Sequence, residues 1–236
     1  MEIQIGIAKI NKYASSESGD TLEVVERPNG GLSIVLADGQ TSGRGAKVIS
    51  TMVVRKVISL LAEGVRDGAA ARASSDYLFT ERNGKVIATL NIISVDLQTN
   101  TLVISRNNPA PVFMARNDHI ECLSAESIAI GTSRNIRPSI CELPLESGLT
   151  VVAFTDGLEH AGERSGAQLD VSTTLGGLLE EQEPSSQEIA DSLLANAIHL
   201  DEGRPSDDMS VVVLKTTQLT GDMVRRMSVR LPVDLE

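Results

Sequence analysis

The chain is predicted to be an α+β domain in which antiparallel sheets pack face to face with helices outside them. Apolar residues through the first part and the middle recur every second position, as in half-buried strands. That rhythm is interrupted at about residues 46–83 and 171–200, where the period lengthens to that of helices. No Pro/Ser-rich linker or low-complexity tract divides the 236 residues, so they form one domain. Groups of strands with helix pairs inserted at two points give packed sheets covered by helices rather than a parallel nucleotide-binding sheet.

The elements follow in order. Glu2 to Lys9, Thr21 to Arg27 and Gly31 to Ala37 alternate as strands, and Pro28-Asn29-Gly30-Gly31 is a turn joining the last two. Ile49, Met52, Val53, Val57, Leu60 and Leu61 fall on one face of a helix from about Ala46 to Glu63. A second helix begins near Asp67, taken as its N-cap, and stops at Asn83-Gly84. Strands resume at Lys85 to Val95, Thr101 to Arg106, Pro111 to Ala115 and His119 to Leu123, with hairpin connections at Asp96 to Asn100 and at Asn117-Asp118. Ser139 to Leu145 and Thr150 to Thr155 are expected to continue the meander. Helices follow at Val171 to Glu181 and Ser186 to Leu200, the latter opened by a capping box of Ser185 and Glu188. Met209 to Leu214 is a strand. In the tail, Met227, Val229, Leu231 and Val233 alternate with polar residues and proline, which predicts a strand covering a sheet edge.

Composition excludes several functions. A net charge of -11 disfavours nucleic acid and anionic membrane surfaces. No apolar run approaches a membrane span, and Met1 to Ile5 alternates like a strand rather than a signal peptide, so a cytoplasmic protein is expected. With no Trp, three Phe and two Tyr, the core must be aliphatic. Cys122 and Cys141 lack the spacing and histidine partners of a zinc site and read as buried or half-buried free thiols.

The chemistry is carried by aspartates at strand ends. Leu32 to Ala37 runs into Asp38-Gly39, and Val151 to Thr155 runs into Asp156-Gly157. Asp207-Asp208 stands just before the apolar run from Met209. A single Asp-Gly after a strand is ordinarily a hairpin turn. Here each is followed by a helical pattern instead of a returning strand. Carboxylates gathered at one rim repel unless a cation lies between them, and hard divalent cations prefer oxygen ligands. Gly43 to Lys47 between strand and helix suggests a phosphate-binding loop, but Ala46 and Val48 flank Lys47 where glycine and serine or threonine are required.

With Ser18-Gly19-Asp20 added, the order of Ser18-Gly19-Asp20, Asp38-Gly39-Gln40-Thr41-Ser42-Gly43, Thr155-Asp156-Gly157-Leu158 and Asp207-Asp208-Met209-Ser210 resembles the metal-dependent type 2C protein phosphatases. The bacterial branch typified by SpoIIE, RsbU and RsbX is the nearest, and Ser105 to Pro111 resembles its Gly-His-Pro-Pro stretch. The resemblance covers about residues 1–216, leaving 217–236 as an extension. It implies an α-β-β-α sandwich and a centre of two Mn2+ or Mg2+ ions. It implies that Asp38 bridges both ions, that the Gly39 carbonyl is a ligand, that Asp156 and Asp207 hold one ion, and that Asp20 acts mainly through metal-bound water. Asp207 is preferred to Asp208 as the ligand, because the second position of that motif tolerates a neutral residue. Asp208 would then bond the backbone or a metal water.

The implied reaction is hydrolysis of phosphoserine or phosphothreonine in a regulatory protein, an anti-sigma antagonist or STAS-like protein among the candidates. The alternative is a phosphatase-fold binding module with little or no turnover. Thr41 stands where the family usually has glycine, and Asn107 and Asn108 fall near a His or a third-metal Asp of some members, so no third metal is expected. Lys9 and Lys12 occupy the segment that carries a phosphate-binding arginine in the eukaryotic branch, with surface solvation as the plainer role. His160, just past Asp156, is either a proton donor or helix surface, and His119 and His199 have no constellation. The helix that follows Asp38-Gly39 so closely is either static cover or an element through which a docking partner shifts Asp38.

Overall fold

The computed structural model describes residues 1–117, 119–181 and 183–232. Its strands are β1 (Glu2–Ile10), β2 (Asp20–Glu26), β3 (Leu32–Gly39), β4 (Ala88–Asp96), β5 (Thr101–Asn107), β6 (Val112–Arg116), β7 (His119–Leu123), β8 (Ser139–Pro144), β9 (Leu149–Phe154) and β10 (Met209–Thr217). The helices are α1 (Gly43–Ala62), α2 (Asp67–Arg82), the single turn α3 (Asp156–Glu159), α4 (Val171–Glu181) and α5 (Ser186–Leu200). All strand pairs are antiparallel and form two five-stranded sheets, β1-β10-β9-β6-β7 and β2-β3-β4-β5-β8.

The layers follow from which face of each strand is apolar. Ile34, Leu36, Ile93 and Leu102 of one sheet meet Val151, Ala153, Val212 and Leu214 of the other, forming the central core. The opposite faces are apolar as well, so each sheet needs a second cover. Val35, Ala37, Leu90 and Ile92 are covered by Val53, Val57 and Leu61 of α1 and by Ala70, Ala71 and Leu78 of α2. Val152, Phe154, Val211 and Val213 are covered by Leu175 of α4 and by Ile189, Leu193 and Ala197 of α5. The result is the expected α-β-β-α sandwich. No described helix is long and apolar enough to cross a membrane.

Most elements lie within a few residues of their expected bounds, and Ser185 with Glu188 forms the capping box at α5. Four expectations differ. The strands after β7 do not continue a meander: β8 returns to the edge of the second sheet beside β5, and β9 sits between β6 and β10 in the first. The alternating pattern of β8 suits an edge, whereas β9, buried throughout, needs partners on both sides. Asp67 does not cap α2. The N-cap is Arg66, and Asp67 lies inside the first turn, where its carboxylate accepts from Arg27 at 2.6 Å in a buried ion pair. Cys122 is exposed, because it lies on the edge strand β7, while Cys141 is half-buried, and both are free.

The fourth difference is the tail. Residues 218–232 form no strand, and Met227, Val229 and Leu231 are 72%, 88% and 79% exposed. Arg226 donates instead to Asp222 at 2.7 Å, which folds this stretch on itself, and Arg225 pairs with exposed Glu26. Alternation alone does not supply a vacant partner strand. Val233 of that pattern and Asp118 of the expected hairpin lie outside the described residues.

Candidate metal centre

The two sheets deliver four aspartates to one end of the sandwich. Asp20 opens β2 and pairs in register with Asp38 at the end of β3. Asp156 opens α3 directly after β9, and Asp207 stands two residues before β10. Because β9 and β10 are neighbours, residues 156 and 207 are brought together from distant parts of the chain. Asp38, Gly39, Asp156 and Asp207 line one cleft of about 410 Å³, with Lys12, Gln40 and Thr41 on its wall. Another cleft, of about 330 Å³ between Phe113, Glu159 and Asp170, contains none of these aspartates.

Both Asp-Gly glycines are dictated by close approach of backbone. A Cβ on Gly39 would lie 2.1 Å from the Ala46 carbonyl oxygen, and one on Gly157 would lie 2.1 Å from that of Asp208. Neither dipeptide is a hairpin turn. Each glycine lets an incoming segment press against the residue that follows a cleft aspartate.

Asp20 is wholly buried below the cleft. Its Oδ2 accepts from Ser210 Oγ at 2.6 Å and Thr155 Oγ1 at 3.0 Å, while its Oδ1 has no hydrogen-bond partner. Burial raises the Asp20 pKa against the opposing influence of Ser210, Lys9 and Thr155. Asp38 is pushed up to about 9, first by burial and then by the charges of Asp20 and Asp156. Burial also raises Asp207, opposed by the Asp208 backbone N–H that donates to its Oδ1 at 2.9 Å.

Asp208 has a different task. Its Oδ1 accepts from the Lys12 backbone N–H at 2.9 Å and its Oδ2 from that of Gly19 at 2.8 Å. The side chain is buried and clasps the loop before β2 to the start of β10. This is the backbone-bonding alternative expected for it. Asn108 is likewise spent on structure: its Nδ2 donates to the Phe154 carbonyl and its Oδ1 accepts from the Ala110 N–H. Asn107 Nδ2 donates to the Ile128 carbonyl at 3.0 Å. His160 is half exposed beside Glu163, as a helix-surface residue would be.

Four residues contact Asp20 in ways that sequence reasoning did not assign to them. Thr155 and Ser210, which orient Asp20, lie inside the quoted motifs, and their positions flanking the aspartates were the available signal. Lys9 and Lys47 both donate to the Asp20 backbone carbonyl, at 2.6 Å and 2.8 Å. Nothing in sequence spacing marks that convergence.

The donor set fits a hard divalent cation. Among the described residues, no three His, Cys, Asp or Glu side chains are drawn tightly enough to enclose an ion as they stand. Yet Asp38, Asp156 and Asp207 line one cleft whose described lining contains no His or Cys, Asp20 Oδ1 below it has no hydrogen-bond partner, and burial with the charges of Asp20 and Asp156 raises the Asp38 pKa.

Comparison with known proteins agrees with this geometry. The family model described as Stage II sporulation protein E (SpoIIE) matches residues 28–217. Stage II sporulation protein E of Priestia megaterium is 23% identical over 214 residues, covering 90% of this chain and 36% of that protein. The chain thus spans about a third of that relative's length. Among solved structures, the PP2C phosphatase domain with a fragment of the regulatory domain of SpoIIE from Bacillus subtilis superimposes with a TM-score of 0.78 at 22% identity, over 91% of this chain and 63% of that one. The catalytic domain of the serine/threonine protein phosphatase PstP, in complex with two manganese ions, gives 0.70 at 16% identity, over 92% and 99% of the two chains.

Proposed function

This chain belongs to the SpoIIE family, and we propose that it is a Mn2+- or Mg2+-dependent phosphatase that hydrolyses phosphoserine or phosphothreonine in a regulatory protein. The observation that carries this reading is the convergence of Asp20, Asp38, Asp156 and Asp207 at one end of the sandwich, with Asp38 held up to about 9 by burial and by its neighbours. The side chains of Asp38, Asp156 and Asp207 and the Gly39 carbonyl would hold two ions, with Asp20 beneath them acting through water. Bound there, the ions would neutralise the phosphoryl oxygens and acidify a water enough for in-line attack near neutral pH. The manganese pair in the PstP complex supports the metal count.

The chain's own residues bind and orient. Phosphoryl transfer needs placement and charge more than covalent chemistry. Asp20 is fixed by Ser210 and Thr155, so the floor of the cleft stays put while substrate enters. Lys12 lines the cleft and draws the phosphoryl dianion inward. Asp208 holds that lysine's backbone in place. The binding-module alternative rests on Thr41 alone, and the presence of each cleft carboxylate favours turnover. Partner-switching phosphoproteins of the anti-sigma antagonist class in the cytoplasm are the substrates we assign, on the strength of the family.

The test is release of phosphate from a phosphoserine peptide in Mn2+, in Mg2+ and in chelator. Turnover is expected only with metal. Asp38→Asn is expected to lower it by more than about 100-fold, beyond the range found when outer-shell partners of metals are removed. Full turnover in chelator would sink the reading.

A further inference from the structure

We propose that Lys9 and Lys47 are a resident cation pair that positions Asp20 and lowers the affinity of the aspartate centre for divalent ions. The proposal rests on the metal reading above. It begins with an unusual acceptor. Lys9 Nζ, from the end of β1, lies 2.6 Å from the Asp20 carbonyl oxygen. Lys47 Nζ, from the first turns of α1, lies 2.8 Å from the same oxygen and 3.0 Å from Thr21 Oγ1. Two ammonium groups on one oxygen repel each other and give up side-chain freedom. Such a pair persists where surrounding negative charge compensates.

That charge is the aspartate cluster. Neither lysine forms an ion pair within 4.0 Å among the described residues, so they are not spent on ordinary salt bridges. They are instead held just behind Asp20 by its own backbone. One arrives from the first sheet and the other from the helix over the second, so the pair fastens both halves of the sandwich to the start of β2. α1 has an independent hold on this segment, because Ser50 Oγ donates to the Gly19 carbonyl. Loss of one lysine therefore removes charge without releasing the strand.

The consequence is a difference between two states. With no divalent ion, the two ammonium groups offset the mutual repulsion of the carboxylates. With ions bound, the same groups are surplus positive charge beside the metal. They therefore favour the metal-free state, and the ions remain exchangeable.

The experiment uses the full chain with Lys9→Met, Lys47→Met and the double substitution. Mn2+ affinity is measured by calorimetry, and melting is followed in chelator and in saturating Mn2+. Each methionine is expected to tighten Mn2+ binding about three- to tenfold, as for one charge acting on divalent ions several ångströms away. Melting temperature should fall in chelator and hold in Mn2+. Lys9→Arg and Lys47→Arg should keep wild-type affinity. Purely structural lysines would lower melting equally in both conditions with Mn2+ affinity unchanged, and that result, or weaker binding in the methionine variants, would overturn this proposal alone. Wild-type protein that takes up no Mn2+, or Asp38→Asn binding as tightly as wild type, would overturn the metal centre and this proposal with it.

Discussion

Thr41 adopts a φ of 82° two residues after Gly39, on the wall of the cleft. A β-branched side chain in the left-handed region is strained, at a cost of about 1–3 kcal/mol. The resemblance to phosphatases had marked this position as a departure, and the backbone shows why glycine suits it. Thr41→Gly should stabilise the protein by about 1 kcal/mol in urea unfolding, after the entropy that glycine adds to the unfolded chain is offset. A lower midpoint would mean that the threonine side chain contributes more than its backbone costs. The adjacent aspartates of the last motif should separate cleanly. Asp208→Asn turns an amide toward the N–H of Lys12 or Gly19 and should cost about 1–3 kcal/mol of stability while leaving Mn2+ binding nearly intact. Asp207→Asn should do the opposite, as read by melting in chelator and by metal titration. The aspartates were legible in the sequence because each is tied to a strand end and a glycine. Lys9 and Lys47 were not, because a long flexible side chain reaches an acceptor that only the tertiary fold brings near.

Among the elements, periodicity located nearly every strand and helix, because alternation and helical spacing report burial directly. It did not assign strands to sheets. β8 and β9 read as consecutive strands of one meander yet belong to different sheets, since a pattern of inward and outward residues carries no record of the neighbour. The end of α2 was read correctly at Asn83, which takes the left-handed conformation. Its start lies one residue earlier than the sequence predicts, with Arg66 at the cap and the Asp67 carboxylate engaged by Arg27. The helix α1 is more than a cover. Lys47, Ser50 and Thr51 all reach the segment from Gly19 to Thr21, so α1 touches the strand that carries Asp20 as well as following the one that carries Asp38. Hydrogen exchange should therefore show slower exchange in residues 40–63 when Mn2+ is added. Identical exchange with and without metal would mark α1 as static packing.

On the scale of the whole molecule, three aliphatic cores hold four layers together, and the tail lies outside them. An exposed ion pair such as Arg225 with Glu26 contributes little. Removal of residues 219–236 is accordingly expected to shift the melting temperature by less than about 2 °C, which corresponds to at most about 0.5–1 kcal/mol in a chain of this size. A larger drop would show that the tail covers an edge in solution, as its alternating sequence had suggested. The overall architecture was legible from sequence because the strand and helix groups are segregated along the chain. The tail was not, because an exposed stretch that forms no strand can alternate in sequence as a half-buried strand does.

The pairing of β1 with β10 has a consequence in time. In the first sheet β1 has no strand neighbour other than β10, with Glu2 opposite Thr217. On a ribosome adding about 5–20 residues per second, the chain waits roughly 10–40 s between the emergence of its first strand and that of its partner. Throughout that interval Ile3, Ile5 and Ile7 have no strand to pair with, and Asp207 has not yet joined Asp38 and Asp156. Until β10 is made, β1 therefore stays unpaired, and the cleft closes only when that last strand brings Asp207 in.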